Sequence, residues 1–217
     1  MASEQVENYL KNIYKLQHNE GKVTTSSLSK NLNISAASVS EMIKKLAEEG
    51  ILTHTPYKGV ELTNEGEKLA LKVIRKHRLW EMFLVEVLKF RWDEIDEEAE
   101  RFEHIMSEKM EEKIDKALDY PSVDPHGDPI PTRDGKIHHL ESLSLTEIDE
   151  GTTVKIIRVN DANSELLQYV SSLGLALNKK IRIKQKMNFD QSMIISINGK
   201  DHVISQHIAK SIFVEKL

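Results

Sequence analysis

The chain has 217 residues, of which 39% are hydrophobic and 30% charged, and it contains no cysteine. This length suits one to three domains, each with its own core. The lack of cysteine excludes disulfides, thiolate catalysis, iron–sulfur clusters and cysteine-type zinc sites. No apolar run approaches the roughly 18–20 residues that span a bilayer. MASEQVENYL has no basic segment followed by an apolar one, so we predict a cytoplasmic protein.

Charge is unevenly distributed along the chain. Residues 1–80 carry 12 Lys and Arg against 9 Asp and Glu, a net charge of +3. Residues 81–144 carry 8 against 18, a net charge of −10, and residues 145–217 carry 10 against 8, a net charge of +2. A mildly basic head before an acidic middle is compatible with an anionic partner at one end and cations in the centre.

The N-terminal part reads as helix, short helix, turn, helix and hairpin. Apolar residues at three- and four-residue intervals predict a first helix that ends at Gly21. Thr24 is the first of several residues that can cap the N-terminus of a short second helix. Ser35 can cap a third helix, SAASVSEMIKKLAEEG. ILTHTP and VELT predict two strands around Tyr57-Lys58-Gly59. This order is typical of a winged helix-turn-helix, whose third helix enters the DNA major groove while the hairpin touches phosphates.

Candidate DNA contacts follow from this arrangement. Small hydroxyl residues at the start of the third helix would let its backbone approach the groove, and lysines stand towards its end. The candidate DNA-binding residues are Thr25, Ser26, Ser35, Ala37, Ser38, Ser40, Lys44, Lys45 and Lys58. The alternative interpretation is a three-helix packing unit that mediates protein contacts.

Two further helices are predicted in the middle of the chain. One runs from about Glu65 towards Phe90, and its far end is apolar on most sides, which indicates an internal core or a two-fold dimer interface. The next runs from Asp93 to about Leu118 and is acidic on its outer face. Residues 119–135, DYPSVDPHGDPIPTRDG, hold four of the five prolines and predict a turn-rich segment or a linker.

The periodicity changes to two in the last third of the chain. TTVKIIRVN, KKIRIKQKM, SMIISI and HVISQ predict strands, with Asn198-Gly199 at a type I′ hairpin turn. A short helix from about Ser164 to Leu173 interrupts them. These elements predict a small SH3-like β-barrel. The predicted fold class is therefore α+β: a winged helix-turn-helix, an all-α domain suited to dimerisation, and the β-barrel.

Carboxylates and imidazoles in the middle of the chain are candidate metal ligands. The candidates are Asp96, Glu100, Glu103 and His104 on one helix face, His77 and Glu81 four residues apart on the preceding helix, and His126 in the proline-rich segment. Oxygen and imidazole donors without sulfur suit Mn²⁺ or Fe²⁺ better than Zn²⁺ or Cu⁺. The alternative is a solvated polar helix face.

Signals for catalysis are poor, since GxSxG, P-loop, HExxH and GxGxxG motifs are absent. We predict that the protein is not an enzyme. A metallohydrolase would require an open coordination position, which no motif indicates. The basic wing also disfavours a purely structural adaptor, so the main competitor is a metal-independent winged-helix regulator.

Three stretches carry a resemblance: RKHRLWE, EEAERFEHIMSE and PHGDPIP. With these and the winged helix, the chain resembles the diphtheria-toxin-repressor family of metal-dependent transcriptional repressors, in the long form with an SH3-like third domain. The resemblance covers essentially the whole chain. It implies a homodimer that binds Mn²⁺ or Fe²⁺ and then operator DNA, repressing metal-uptake or related genes. The implied domains are 1–72 (winged helix), 73–142 (metal binding and dimerisation) and 143–217 (SH3-like, FeoA-like).

The resemblance also implies two metal ions per subunit. The primary site would use Asn8, Glu100, Glu103 and His104, and the secondary site His77, Glu81, Asp124, His126 and Asp161. Iron-sensing members carry cysteine where Glu100 stands and manganese-sensing members carry glutamate, which implies Mn²⁺, with Fe²⁺ as the alternative. The first-helix ligand is Met or Asp in the family, so Asn8 is a departure for which Glu7 could compensate. Glu165 and Gln168 are alternatives to Asp161, and several relatives have cysteine at Asp124.

Overall fold

The computed structural model describes residues 3–55, 59–138 and 141–217, and the chain divides into two compact units. The first unit comprises Met1–Arg78, Glu100–Glu112 and Ile130–His138. The second comprises Leu79–Ala99, Lys113–Pro129 and His139–Leu217. Segments from the acidic middle of the sequence therefore contribute to both units.

The winged helix-turn-helix lies in the first unit. Its elements are α1 (Glu4–Glu20), α2 (Thr25–Leu32), α3 (Ala36–Glu48), β1 (Leu52–Thr55) and β2 (Gly59–Leu62). The two strands pair antiparallel. Residues 56–58 at the wing tip, Lys58 among them, lie outside the described residues.

Local caps set the helix boundaries of this fold. The Thr24 side chain accepts from the N–H of Ser27 and the Ser35 side chain from that of Ser38, while Gly21 ends α1 with φ at 74°. These three predicted boundaries are confirmed. The exposed side chains of α3 point away from Val39, Ile43 and Leu46, which are buried in the core. The recognition helix is thus anchored by one apolar stripe.

The long helix, α4, spans Asn64–Glu86 and ends earlier than predicted. Lys89 has a φ of 62°, a conformation that does not continue a helix. Val87, Leu88 and Phe90, just beyond the helix, are 48%, 52% and 40% exposed. Among the described helices, α4 included, none is both long and apolar enough to cross a bilayer.

The prediction of one helix from Asp93 to Leu118 is wrong. The chain forms α5 (Asp96–Glu103) and α6 (Glu108–Ala117), with a break between them. Ser107 starts the second helix, because its hydroxyl accepts from the N–H of Met110 at 3.2 Å and its carbonyl accepts from that of Glu111. Because of this break, His104, the residue after Glu103, lies outside regular helix.

The β domain lies in the second unit and consists of a six-stranded antiparallel sheet in the order β3-β8-β4-β5-β6-β7. Its strands are β3 (Leu143–Ser144), β4 (Thr153–Val159), β5 (Lys180–Lys186), β6 (Met193–Ile197), β7 (Lys200–Ile204) and β8 (Ile212–Lys216), and its helices are α7 (Ser164–Ser172) and α8 (Gln206–Lys210). Asn198 and Gly199 both have positive φ, as a type I′ turn requires. The predicted α+β class, with a small SH3-like β domain, is confirmed.

Candidate metal centres and the DNA-facing helix

A polar cluster forms in the first unit, where α1 contacts the end of α5. This first cluster consists of Glu7, Asn8, Lys11, His77, Glu100, Glu103 and His104. Lys11 lies four residues after Glu7 and three after Asn8, so it shares one face of α1 with each of them. The same helix buries Val6, Leu10 and Ile13 in the core, which fixes the direction of its polar face.

Glu103 is the centre of the first cluster. Its side chain has no exposed surface, and its two oxygens lie 2.5 Å from Nζ of Lys11 and 2.5 Å from Nδ1 of His77. Burial alone would raise the pKa of Glu103, but the hydrogen bond and charge of His77, followed by those of Lys11, outweigh it and hold the pKa below its usual value. Glu103 is therefore kept as a carboxylate.

Glu100 extends the carboxylate group of the first cluster. Its Oε2 atom lies 2.5 Å from Nζ of Lys11, and its side chain remains 43% exposed. Donor atoms of Glu100, Glu103 and His77 lie within 4.8 Å of one another, a spacing at which one ion could contact all three. Carboxylate oxygens and an imidazole nitrogen fit a hard divalent cation.

His104 connects α5 to α1. Its Nδ1 atom lies 2.6 Å from Oε2 of Glu7, its Nε2 atom 2.9 Å from Oδ1 of Asn8, and the same Nε2 3.4 Å from Oε1 of Glu103. Both α1 residues considered from the sequence thus reach the same imidazole. Both nitrogens face oxygens that accept hydrogen bonds, so a metal that binds this imidazole would replace the contact at one of the two nitrogens.

A second cluster, Glu81, Asp124 and His126, lies in the second unit. The three side chains are 1%, 2% and 1% exposed, and one donor atom from each lies within 4.8 Å of the others. Nε2 of His126 lies 2.8 Å from the carbonyl oxygen of Trp92, and because a carbonyl only accepts, Nε2 carries the proton. When the imidazole is neutral, Nδ1 of His126 presents a lone pair. It is buried, makes no hydrogen bond within the described residues, and lies 3.8 Å from Oε1 of Glu81.

A tight turn positions Asp124 and His126, the two candidate ligands that come from the proline-rich segment. Oδ1 of Asp124 accepts from the N–H groups of His126 and Asp128, both at 2.9 Å. The carbonyl of His126 accepts from the N–H of Val159 on β4 at 2.9 Å. Gly127, with φ at 93°, lies so close to β4 that a Cβ would sit 2.0 Å from the carbonyl oxygen of Ile157. The turn is thus fixed against the sheet.

Some ligands predicted for the secondary site are not among the three residues of the second cluster. His77, assigned by resemblance to the secondary site, has its Nδ1 2.5 Å from Glu103 in the first cluster. Asp161 is half-buried but its carboxylate is not among the groups that meet Glu81, Asp124 and His126. Its alternatives, Glu165 and Gln168, are exposed.

Sequence reasoning missed Lys11. This side chain is only 2% exposed and contacts two of the proposed ligands. A lysine four residues after Glu7, on a helix that otherwise buries this segment, is the signal that could have drawn attention to it. A buried lysine requires a partner, and acidic residues elsewhere in the chain are its natural partners.

The candidate DNA-binding residues of the helix-turn-helix are largely exposed. Thr25 is half-buried, and the exposed candidates are Ser26, Ser35, Ala37, Ser38, Ser40, Lys44 and Lys45. The hydroxyls of Ser35 and Ser38 lie 2.9 Å apart, and that of Ser40 donates to the carbonyl of Ala36. These side chains leave a smooth helix surface that can approach a groove closely.

Comparison with known proteins assigns all three parts of the chain. The DNA-binding domain of the iron dependent repressors matches residues 1–60, their metal binding and dimerisation domain residues 63–132, and the FeoA domain residues 143–216. The iron-dependent repressor IdeR of Mycobacterium leprae (strain TN) is 30% identical, over 97% of this chain and 96% of that protein. The diphtheria toxin repressor of Corynebacterium diphtheriae is 27% identical, over 97% of this chain and 96% of its own.

Solved structures of similar proteins agree with these matches. A manganese-dependent transcriptional repressor in complex with manganese superposes with a TM-score of 0.91 at 36% identity, covering 98% of this chain and 100% of that one. ScaR with bound Zn²⁺ superposes with a TM-score of 0.82 at 37% identity, covering 98% and 99%. The chain therefore belongs to the iron-dependent repressor family, the family of diphtheria toxin repressor, whose members are metal-dependent transcriptional repressors rather than enzymes.

Proposed function

We propose that this chain is a manganese-responsive repressor that binds operator DNA when its first cluster holds a divalent ion. The observation that carries the proposal is the meeting of α1 with the end of α5. Glu7 and Asn8 on α1 contact His104, which lies 3.4 Å from Glu103. A metal ion bound by residues of both elements would hold α1, the first helix of the DNA-binding fold, against α5. The ion would thereby favour one arrangement of the DNA-binding fold.

The donor set supports Mn²⁺, with Fe²⁺ as the alternative. By the resemblance, Glu100 stands where iron-sensing members of the family carry cysteine, and Asp124 stands where several relatives carry cysteine. A solved relative with 36% identity contains manganese. Because zinc and copper bind nitrogen and oxygen sites more tightly than manganese does, affinity alone does not identify the metal used in the cell.

Each cluster would hold one ion, giving two per subunit. Asn8, Glu100, Glu103 and His104 would hold the first, with Glu7 as the alternative to Asn8, and Glu81, Asp124 and His126 would hold the second, with Asp161 as a further candidate. A bound cation supplies the positive charge that offsets repulsion among the carboxylates. The contact between His77 and Glu103 supports a role for His77 in orienting that carboxylate.

The DNA-binding and dimer contacts belong to the same proposal. The exposed hydroxyls and lysines of α3, with Lys58 of the wing, would contact the operator from the winged helix of residues 1–72. A dimer would present two such helices to two half-sites. Val87, Leu88 and Phe90, apolar and about half exposed in the helical domain 73–142, support pairing of two subunits. The proposed place of action is the cytoplasm.

Operator binding is expected to depend on metal. A duplex selected from a random-sequence pool by the Mn²⁺-loaded protein should bind about 5- to 150-fold more tightly at saturating Mn²⁺ than in chelator. Fluorescence anisotropy across buffered free Mn²⁺, Fe²⁺ and Zn²⁺ measures this coupling. Equal affinity for the duplex with and without each metal would contradict the proposal. If only Fe²⁺ at cellular concentrations increased the affinity for the duplex, the proposed metal would be iron and not manganese.

The number of bound ions tests the second cluster. His126→Ala removes the buried Nδ1 lone pair, so calorimetric titration should show one Mn²⁺ per subunit instead of two. The matched control is His207→Ala, since His207 is exposed on α8. Two ions bound by His126→Ala would remove the second cluster from the proposal.

A further inference from the structure

Lys11 is a buried cation inside a cluster that we assign to a metal. Its side chain is 2% exposed, and Nζ lies 2.5 Å from Oε2 of Glu100 and 2.5 Å from Oε1 of Glu103. Lysine is rarely buried to this extent unless its charge is paired. The two contacts therefore account for its position, and they neutralise part of the negative charge of the first cluster.

The same two oxygens belong to the proposed metal ligands. A divalent ion that contacts Glu100 and Glu103 would lie next to the Lys11 ammonium, and like charges at such separations repel strongly in a poorly solvated environment. The lysine side chain has a flexible four-carbon stem, so its ammonium can move while α1 stays in place. Because the Glu100 side chain is 43% exposed, the Lys11 ammonium could move towards solvent on that side of the cluster.

We propose that Lys11 is an internal counter-cation that competes with the divalent ion for Glu100 and Glu103. In the metal-free protein it keeps the two carboxylates together at the end of α5. When metal binds, the ammonium withdraws from at least one of them. Lys11 thereby weakens metal affinity and raises the free metal concentration at which the protein responds. This inference rests on the proposed function, since it concerns the same centre.

A purely structural ion pair would behave differently. It would stabilise the metal-free and metal-bound protein equally and would leave metal affinity unchanged when removed. A competing cation instead stabilises only the metal-free state. The distinguishing quantity is therefore the Mn²⁺ dissociation constant, measured together with the melting temperature in each state.

The test compares Lys11→Met, which keeps length but removes charge, with Lys11→Arg, which keeps the charge. All titrations use the full-length chain in a His126→Ala background, so that the second cluster does not contribute. Neighbouring charges change the proton affinity of a carboxylate about ten- to thousandfold, and a divalent ion should respond at least as strongly. Lys11→Met should therefore bind Mn²⁺ at least about tenfold more tightly. Its metal-free form should melt lower, so added Mn²⁺ raises the melting temperature more than in the parent.

The control is Arg75→Met, which removes another buried cation of the first unit. Arg75 is 6% exposed and pairs with Glu111 at 2.7 Å. Arg75→Met should lower the melting temperature without changing Mn²⁺ affinity. Lys11→Arg should bind Mn²⁺ with the same affinity as the parent. If the parent binds Mn²⁺ but Lys11→Met binds it equally or more weakly, the competition is overturned and the proposed function stands. If the parent does not bind Mn²⁺, the proposed function and this inference are both overturned.

Discussion

Replacing Glu103 with alanine is expected to abolish metal-dependent operator binding. Glu103 has no exposed surface and contacts Lys11, His77 and His104. Its loss removes a proposed metal ligand and leaves Lys11 without one of its two carboxylate partners. Loss of groups that merely support a ligand costs roughly 10- to 100-fold in metal affinity, and a ligand itself should cost at least as much. Anisotropy with the selected duplex, in buffered free Mn²⁺, measures the loss.

Two companion variants separate metal binding from folding. Glu103→Ala also breaks a buried ion pair, at a cost of about 3–5 kcal/mol in the free energy of unfolding. Glu103→Gln keeps the shape and a hydrogen-bonding oxygen but not the charge, so it should fold better and still lose the metal response. Glu108→Ala, at an exposed position of the next helix, should behave as the wild type. Wild-type Mn²⁺ dependence in a folded Glu103→Ala protein would contradict the assignment of the first cluster.

Gly127→Ala is expected to cause a large loss of stability. The added Cβ would lie 2.0 Å from the Ile157 carbonyl oxygen and 2.7 Å from Cα of Arg158, both backbone atoms, and φ is 93°. Backbone must therefore move, which should lower the free energy of unfolding by more than about 3 kcal/mol. Because roughly 1 kcal/mol corresponds to 2–4 °C in a chain of this size, the melting temperature should fall by more than about 6 °C.

Gly174→Ala is the matched control for this substitution. Gly174 has a similar φ of 76°, but nothing lies within 4 Å of the position that a Cβ would take. It should cost only the backbone strain, about 1–2 kcal/mol. Equal losses in the two variants, measured by thermal and urea unfolding, would show that close approach to β4 is unimportant. Gly127→Ala should also weaken Mn²⁺ binding at the second cluster, since His126 is the preceding residue.

Elements with local signals could be predicted from the sequence. Thr24 and Ser35 cap helices through hydrogen bonds within one turn, so their effect can be recognised without knowledge of the fold. The break before Ser107 could not be predicted, because acidic residues continue at helical spacing on both sides of it. The strand Ile212–Lys216 was missed because it is a short run whose partners β3 and β4 are distant in the chain.

The same distinction applies to the candidate ligands. Glu100 and Glu103 are three residues apart in α5, so their shared face follows from helix geometry, whereas His104 lies just beyond the end of that helix. The spacing of His77 and Glu81 along one helix indicates that they share a face, but it does not determine which residues from other elements each side chain contacts. His77 contacts Glu103, 26 residues away in the sequence. Lys11 contacts residues 89 and 92 positions away, and no local pattern encodes such pairing.

The end of α5 at Glu103 has an electrostatic consequence of its own. Aligned peptide dipoles give the last turn of a helix roughly half a negative charge, because its final carbonyls lack intrahelical partners. Glu100 and Glu103 occupy this last turn, where an anion is disfavoured and a cation is favoured. The backbone thus adds to the negative potential that any cation meets at the first cluster. A variant that lacks one carboxylate keeps this attraction, since it is a property of the helix terminus and not of a side chain.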